Sequence, residues 1–199
     1  ALVSNTTADA NVAVGINVLQ ANTTGAFNTA VGGFSLDAAT TASNNTAVGY
    51  GSLGACTTGT SNTAIGTIAL DAITTTSNNT AVGHEALTNA TGGGGNTALG
   101  KGTMTATVTG SNNTAVGYTA LSALTSASND VAVGHNALVA NTTGASNTAI
   151  GVDALATVTT SSFNTAVGKS AGDVVTTGAS NVMIGTDAAG ASTTGSENC

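Results

Sequence analysis

The chain has 199 residues, a formal net charge of −7, only 6% charged and 3% aromatic residues, and neither Pro nor Trp. Its two cations besides His, Lys101 and Lys169, cannot build the clustered basic surface that phosphate neutralisation needs, which excludes nucleic-acid binding. No apolar run approaches the roughly 18–20 residues of a membrane-spanning helix, and so few large side chains cannot fill a thick core, so the body must be thin.

Taken from the N-terminus, residues 1–10 match the later part of a repeat whose first full copy begins at Asn11. Eleven 17-residue copies follow, each opening on Asn-Thr-Ala-Val-Gly or a close variant, and a partial copy, 198–199, ends the chain. The glycine of the pentapeptide returns every 17 residues from Gly15 to Gly185 without a slip. Surface loops of a globular domain tolerate insertions, whereas stacked coils must keep register. Residues 1–199 therefore form a single repeat domain. The absence of Pro agrees, because Pro cannot donate a ladder hydrogen bond. The expected fold is all-β, a parallel β-solenoid with one 17-residue coil per repeat, in a rod about 55 Å long at ~4.8 Å per coil. The chain begins without Met inside one repeat and stops inside another, so it reads as a segment of something longer.

Within the repeat, position one is Asn, with Asp130 the exception. Position two is Thr or Val, position three Ala except Met183, position four Val, Ile or Leu, and position five Gly. Strand alternation puts positions two and four on one side and one, three and five on the other. The β-branched residues are expected inward, so that Val48, Ile65, Val82 and Val116 form one buried file. The opposite Asn-Ala-Gly side is equally constrained and uniformly small, which implies a close-packed neighbour there. The candidate interface residues are Ala30, Ala47, Ala64, Ala81, Ala98, Ala115, Ala132, Ala149 and Ala166, and the expected neighbour is another copy of the chain. Stacked Asn at position one should form an amide ladder.

Further along the repeat, positions six and seven drift freely and are expected at the surface. Position nine is mostly Leu, as in Leu53, Leu70, Leu87 and Leu121, and should form a second buried file. Positions eleven, thirteen and fifteen are expected to share its face, with ten and twelve outward on a second strand. A Gly/Ser/Asn run at fifteen to seventeen then turns the chain.

The run Asn147 to Leu155, Asn-Thr-Ala-Ile-Gly-Val-Asp-Ala-Leu, resembles the head repeats of YadA-like trimeric autotransporter adhesins. With Thr-Thr-Gly-Ser after it, the repeat is also similar to those of bacteriophage tail fibres. The resemblance covers essentially the whole chain. It implies a left-handed β-roll that trimerises, with one strand of each coil near the threefold axis. It departs from the adhesin pattern in its longer repeat and in Thr at position two.

Catalysis needs convergent titratable groups, and the repeat disperses them. His84 and His135 lie three coils apart, and Asp37 and Asp71 lie two apart, too far for an acid/base pair. Cys56 and Cys199 stand roughly 40 Å apart at ~4.8 Å per coil, beyond the ~7 Å reach of a disulfide. Cys56 is expected to be buried. Gly95 to Gly102 imitates a phosphate loop, but Gly102 replaces the required hydroxyl residue. No enzyme, cofactor or metal site is expected. The expectation is a segment of a stiff extracellular attachment fibre, on a phage tail or a bacterial surface, probing a cell-surface glycan or protein receptor. Candidate contact residues are Tyr50, His84, Glu85, Lys101, Tyr118, His135 and Asn136. The alternatives are a self-assembling structural filament and an ice-binding solenoid. The latter is disfavoured because the adjacent Thr-Thr at positions thirteen and fourteen cannot both face one flat surface.

Overall fold

In a computed structural model, which describes residues 1–198, the chain is a parallel β-solenoid of 17-residue coils. Each coil contributes one three-residue strand. These are β1 (Val12–Val14), β2 (Thr29–Val31), β3 (Thr46–Val48), β4 (Thr63–Ile65), β5 (Thr80–Val82) and β6 (Thr97–Leu99). The series continues with β7 (Thr114–Val116), β8 (Val131–Val133), β9 (Thr148–Ile150), β10 (Thr165–Val167) and β11 (Val182–Ile184). They pair in chain order as one sheet of eleven strands. The register is a strict 17 residues, for example Ala47 against Ala64 and Ala64 against Ala81.

The pentapeptide glycine ends every strand. Gly83 has φ +136°, a region closed to side chains, and a Cβ there would sit 2.6 Å from the Gly100 carbonyl oxygen of the next coil. Both facts explain its invariance.

The two faces of the strand are reversed from the sequence expectation. Ala30, Ala47, Ala64, Ala81, Ala98, Ala115, Ala132, Ala149 and Ala166 are fully buried inside their own chain. Val48, Val82 and Val116 are only half-buried, and Ile65 is 41% exposed. The reason is the width of the coil. Leu53, Leu70, Leu87 and Leu121 enter from the opposite wall and are fully buried, as expected. What remains beneath the strand accommodates a methyl group and an amide, not a second aliphatic file.

The amide is position one. Asn45 donates through Nδ2 to Asn28 Oδ1 at 3.2 Å and to the Gly59 carbonyl at 2.9 Å. Its Oδ1 accepts the N–H of Asn62 at 2.9 Å and the Asn62 side chain at 3.2 Å. Each buried amide of this ladder is thereby paired through both its oxygen and its nitrogen, which is what burial requires.

The second half of the coil is not a strand. It is a series of turns with left-handed residues at positions seven, nine and seventeen, such as Glu85 (φ 59°), Leu87 (φ 52°) and Asn78 (φ 64°). Left-handed residues break the two-residue alternation, so position twelve points inward rather than outward. Cys56, Ile73, Leu124 and Val158 are all fully buried there. The Thr at position thirteen has a backbone role. The Thr40 carbonyl accepts the N–H groups of Thr23 (3.0 Å) and Thr24 (3.3 Å) and the Thr23 hydroxyl (3.0 Å).

Two local departures are compensated. Gly172 replaces Leu at position nine, and Met183 replaces Ala at position three of the next coil. A Cβ on Gly172 would lie 2.8 Å from Met183 Sδ, so the longer side chain occupies the space the missing leucine leaves. Ala189, also in place of Leu, borders a hollow of about 410 Å³ in the last coil together with Val175, Met183 and Ala188. In the sixth coil Thr107 is exposed and Val108 takes the buried place.

Candidate functional site

The reversed strand gives the molecule one continuous outward sheet face. Position two contributes a file of Thr with three Val, and position four a parallel file of Val, Ile and Leu. Neither file contains a charged residue in any repeat. Half of the exposed large hydrophobics lie on this face: Val12, Val14, Ile65, Leu99, Ile150, Val182 and Ile184, out of fourteen. The Ala file expected to meet a neighbour lies in the interior, so it cannot supply contacts to another chain.

At position six the side chains stand clear of the coil, as the freely drifting column suggested. Tyr50 is 58% and Tyr118 52% exposed, and Lys101 and His135 are exposed as well. Tyr118 and His135, from successive coils, stack with ring centroids 5.5 Å apart and planes 6° apart. Tyr50 instead packs edge-on against Phe34, at 5.6 Å and 66°. His84 Nδ1 lies 3.4 Å from Glu85 Oε2, an ion pair when the imidazole is protonated.

Position seven is only half-buried because its left-handed backbone folds the side chain back along the coil. There Asn136 is the centre of a relay. Its Oδ1 accepts the Thr119 hydroxyl at 2.7 Å, and its Nδ2 donates to Asp153 Oδ1 at 3.0 Å. Thr119, Asp153 and Phe34 were not among the candidate residues. All three stand in column seven, which they share with Asn136, and Thr119 and Asp153 lie one coil to either side of it.

The remaining polar groups are structural in setting. Asp37 and Asp71 approach one another more closely than a two-coil separation suggests. The coil between them has Gly54 at the same position, and both carboxylates lean into the space a side chain would fill, 3.6 and 2.6 Å from where its Cβ would stand. Burial raises both above the ordinary carboxylate range, and the Asp37 charge raises Asp71 further. Cys56 is buried, as expected, and burial pushes its thiol up to about 11. Cys199 lies outside the described residues.

Asp130 is the one acid in the buried amide ladder. Its Oδ1 accepts the Asn147 N–H at 2.7 Å and its Oδ2 accepts Asn141 Nδ2 at 2.9 Å. Burial nevertheless raises its carboxyl to about 6, against the lowering effect of those two partners. Asn141, at position twelve, also donates to the Gly144 carbonyl at 2.7 Å, an acceptor that position one supplies with a donor in other coils. Compared with family models, curated proteins and solved structures, the chain matches none.

Proposed function

We propose that the chain is a segment of an extracellular attachment fibre, on a phage tail or a bacterial surface, built from three copies packed through the Thr/Val face. The observation that carries this reading is the uncharged double file, Thr or Val beside Val, Ile or Leu, running unbroken across β1 to β11. At ~4.8 Å per strand and ~10 Å of width it amounts to roughly 500 Å². That footprint, in which Thr fills eight of the eleven places at position two, matches in size the larger apolar patches a typical monomer leaves open. A repeat meeting copies of itself is self-complementary at every coil, and the resemblance to adhesin head repeats supports threefold closure. In this reading positions six and seven, including Tyr50, His84, Glu85, Lys101, Tyr118, His135 and Asn136, remain outside and meet the receptor. The work is mechanical: a rod rigid through its ladders holds those side chains at fixed intervals.

Light scattering at micromolar concentration tests it. The expected mass is about 56 kDa, three times 18.7 kDa. Val82→Asp, on the outward file, should dissociate the assembly while leaving the coil folded. Ala81→Phe, in the interior, should disrupt the coil itself, as overpacking does. A folded wild-type monomer would sink the fibre reading.

The same face favours one second reading. Thr at position two and Val at position four stand two residues apart, ~7 Å along the strand, and repeat every ~4.8 Å across it. Unlike the adjacent Thr-Thr at positions thirteen and fourteen, these two files share one face of the strand. A monomer that shows thermal hysteresis, lost in Thr80→Tyr, would select this alternative.

A further inference from the structure

The repeat is broken most clearly where the fifth coil (79–95) meets the sixth (96–112), and the break opens a cleft. In neighbouring coils position eleven is Ala, and its N–H bonds the carbonyl of position ten one coil on: Ala55 to Asp71 and Ala72 to Thr88, each at 3.0 Å. The fifth coil has Asn89 there instead, and its side-chain Nδ2 takes the Thr105 carbonyl at 2.7 Å. Across from it the two buried side chains Met104 and Val108 stand four positions apart, where Leu121 and Leu124 in the next coil stand three apart. The result is a cleft of about 260 Å³ bordered by Glu85, Thr88, Asn89 and Thr105. The Thr88 hydroxyl is shut from solvent without a hydrogen-bond partner, an unfavourable state that calls for an explanation.

The chemistry of the cleft is acceptor-rich. Asn89 Nδ2 spends one of its two N–H groups on the Thr105 carbonyl, which leaves the other N–H and Oδ1 open. Glu85 adds a carboxylate, and Thr88, which borders the cleft, holds a hydroxyl with no partner of its own. There is no aliphatic or aromatic wall, so an apolar ligand has nothing to bury against, and the carboxylate disfavours an anion. The volume lies just below the roughly 300–1,000 Å³ of drug-sized pockets, which suits one compact ring. We propose that this cleft binds a single hydroxyl-rich saccharide ring, with Glu85 and Asn89 Oδ1 accepting its hydroxyls and Thr88 Oγ1 completing the contact. The inference deepens the attachment reading by naming a glycan as the target class.

Saturation-transfer NMR on the full chain with the methyl glycosides of glucose, galactose and N-acetylglucosamine at millimolar concentration tests the site. Transfer to at least one of them is expected. Glu85→Gln and Asn89→Ala should each weaken it about tenfold, the scale of one lost charge-assisted or amide hydrogen bond. Asn89→Ala restores the residue that other repeats carry at position eleven, so it should fold at least as well, which an unchanged circular dichroism spectrum checks. Phe163→Ser, at an exposed position four coils away, should leave binding as it was. No transfer to any of the three, or transfer unaltered in Asn89→Ala, overturns the proposal, and so does loss only in Phe163→Ser. Light scattering on the same samples separates the two readings: a monomer that binds sinks the fibre and keeps the cleft, and a trimer that does not bind sinks the cleft alone.

Discussion

Replacing Asp130 with Asn should stabilise the solenoid at neutral pH and do nothing in acid. Asp130 sits fully buried between Asn113 and Asn147 in an otherwise neutral amide ladder, with Asn141 against its second oxygen. None of these neighbours is titratable. Its carboxyl is raised from 3.8 to about 6 in the folded chain. The folded state therefore holds the proton more tightly than the unfolded state, and ionisation works against folding. This destabilisation is absent below about pH 4, grows as pH rises towards 6, and is fully present above it. A shift of about two units at 1.36 kcal/mol each amounts to about 3 kcal/mol. Asn at 130 would remove that burden and supply the missing donor. The first coil shows that both amides fit, since Asn11 and Asn22 both donate to the Gly25 carbonyl, at 2.8 and 2.9 Å. Amide hydrogen exchange at Asn147, compared between variant and wild type at each pH, is the assay, because intrinsic exchange rates cancel in the ratio. Protection should rise in Asp130→Asn by about two orders of magnitude at pH 7, the equivalent of ~3 kcal/mol, and converge with wild type near pH 4. Equal protection at pH 7, or a gap that persists in acid, would refute the reasoning.

Two further outcomes follow from the packing. Gly172→Leu alone should destabilise by about 1–3 kcal/mol through collision with Met183 and Leu155, and Met183→Ala in the same chain should recover most of it. A thermal double-mutant cycle showing no coupling would contradict the exchange of volume between those positions. Leu87→Ala should cost about 2–5 kcal/mol, but Leu87→Gly should cost no more than that. Its φ of 52° strains any L-residue by about 1–2 kcal/mol, which glycine escapes. Thermal melts placing the Gly variant clearly below the Ala variant would show that the left-handed backbone carries no strain.

The 17-residue period alone determined the stacking. Ten equal glycine intervals leave no room for anything but coils in register, and the sheet pairs with that offset throughout. The Asn ladder was equally legible, because one amide per coil at constant phase can only meet its own copy. The direction of the strand was not. Alternation separates Thr46 and Val48 from Ala47 but assigns neither set to the inside, and both sets are uniform from copy to copy. That choice belongs to the opposite wall: Leu53 and Cys56 fill the interior and leave beneath the strand only the depth of an alanine. Position twelve was misread for a related reason. Asn22, Cys56, Leu124 and Asn141 look like surface drift, yet all are buried. The polar members are accommodated by local bonds such as Asn141 to Gly144 and, at 3.6 Å, Cys56 Sγ to the Gly59 carbonyl. The left-handed residues at seven and nine shift the phase of every later side chain. Nothing in Glu85 or Leu87 as residue types announces a positive φ, because both are held there by the coil above and the coil below.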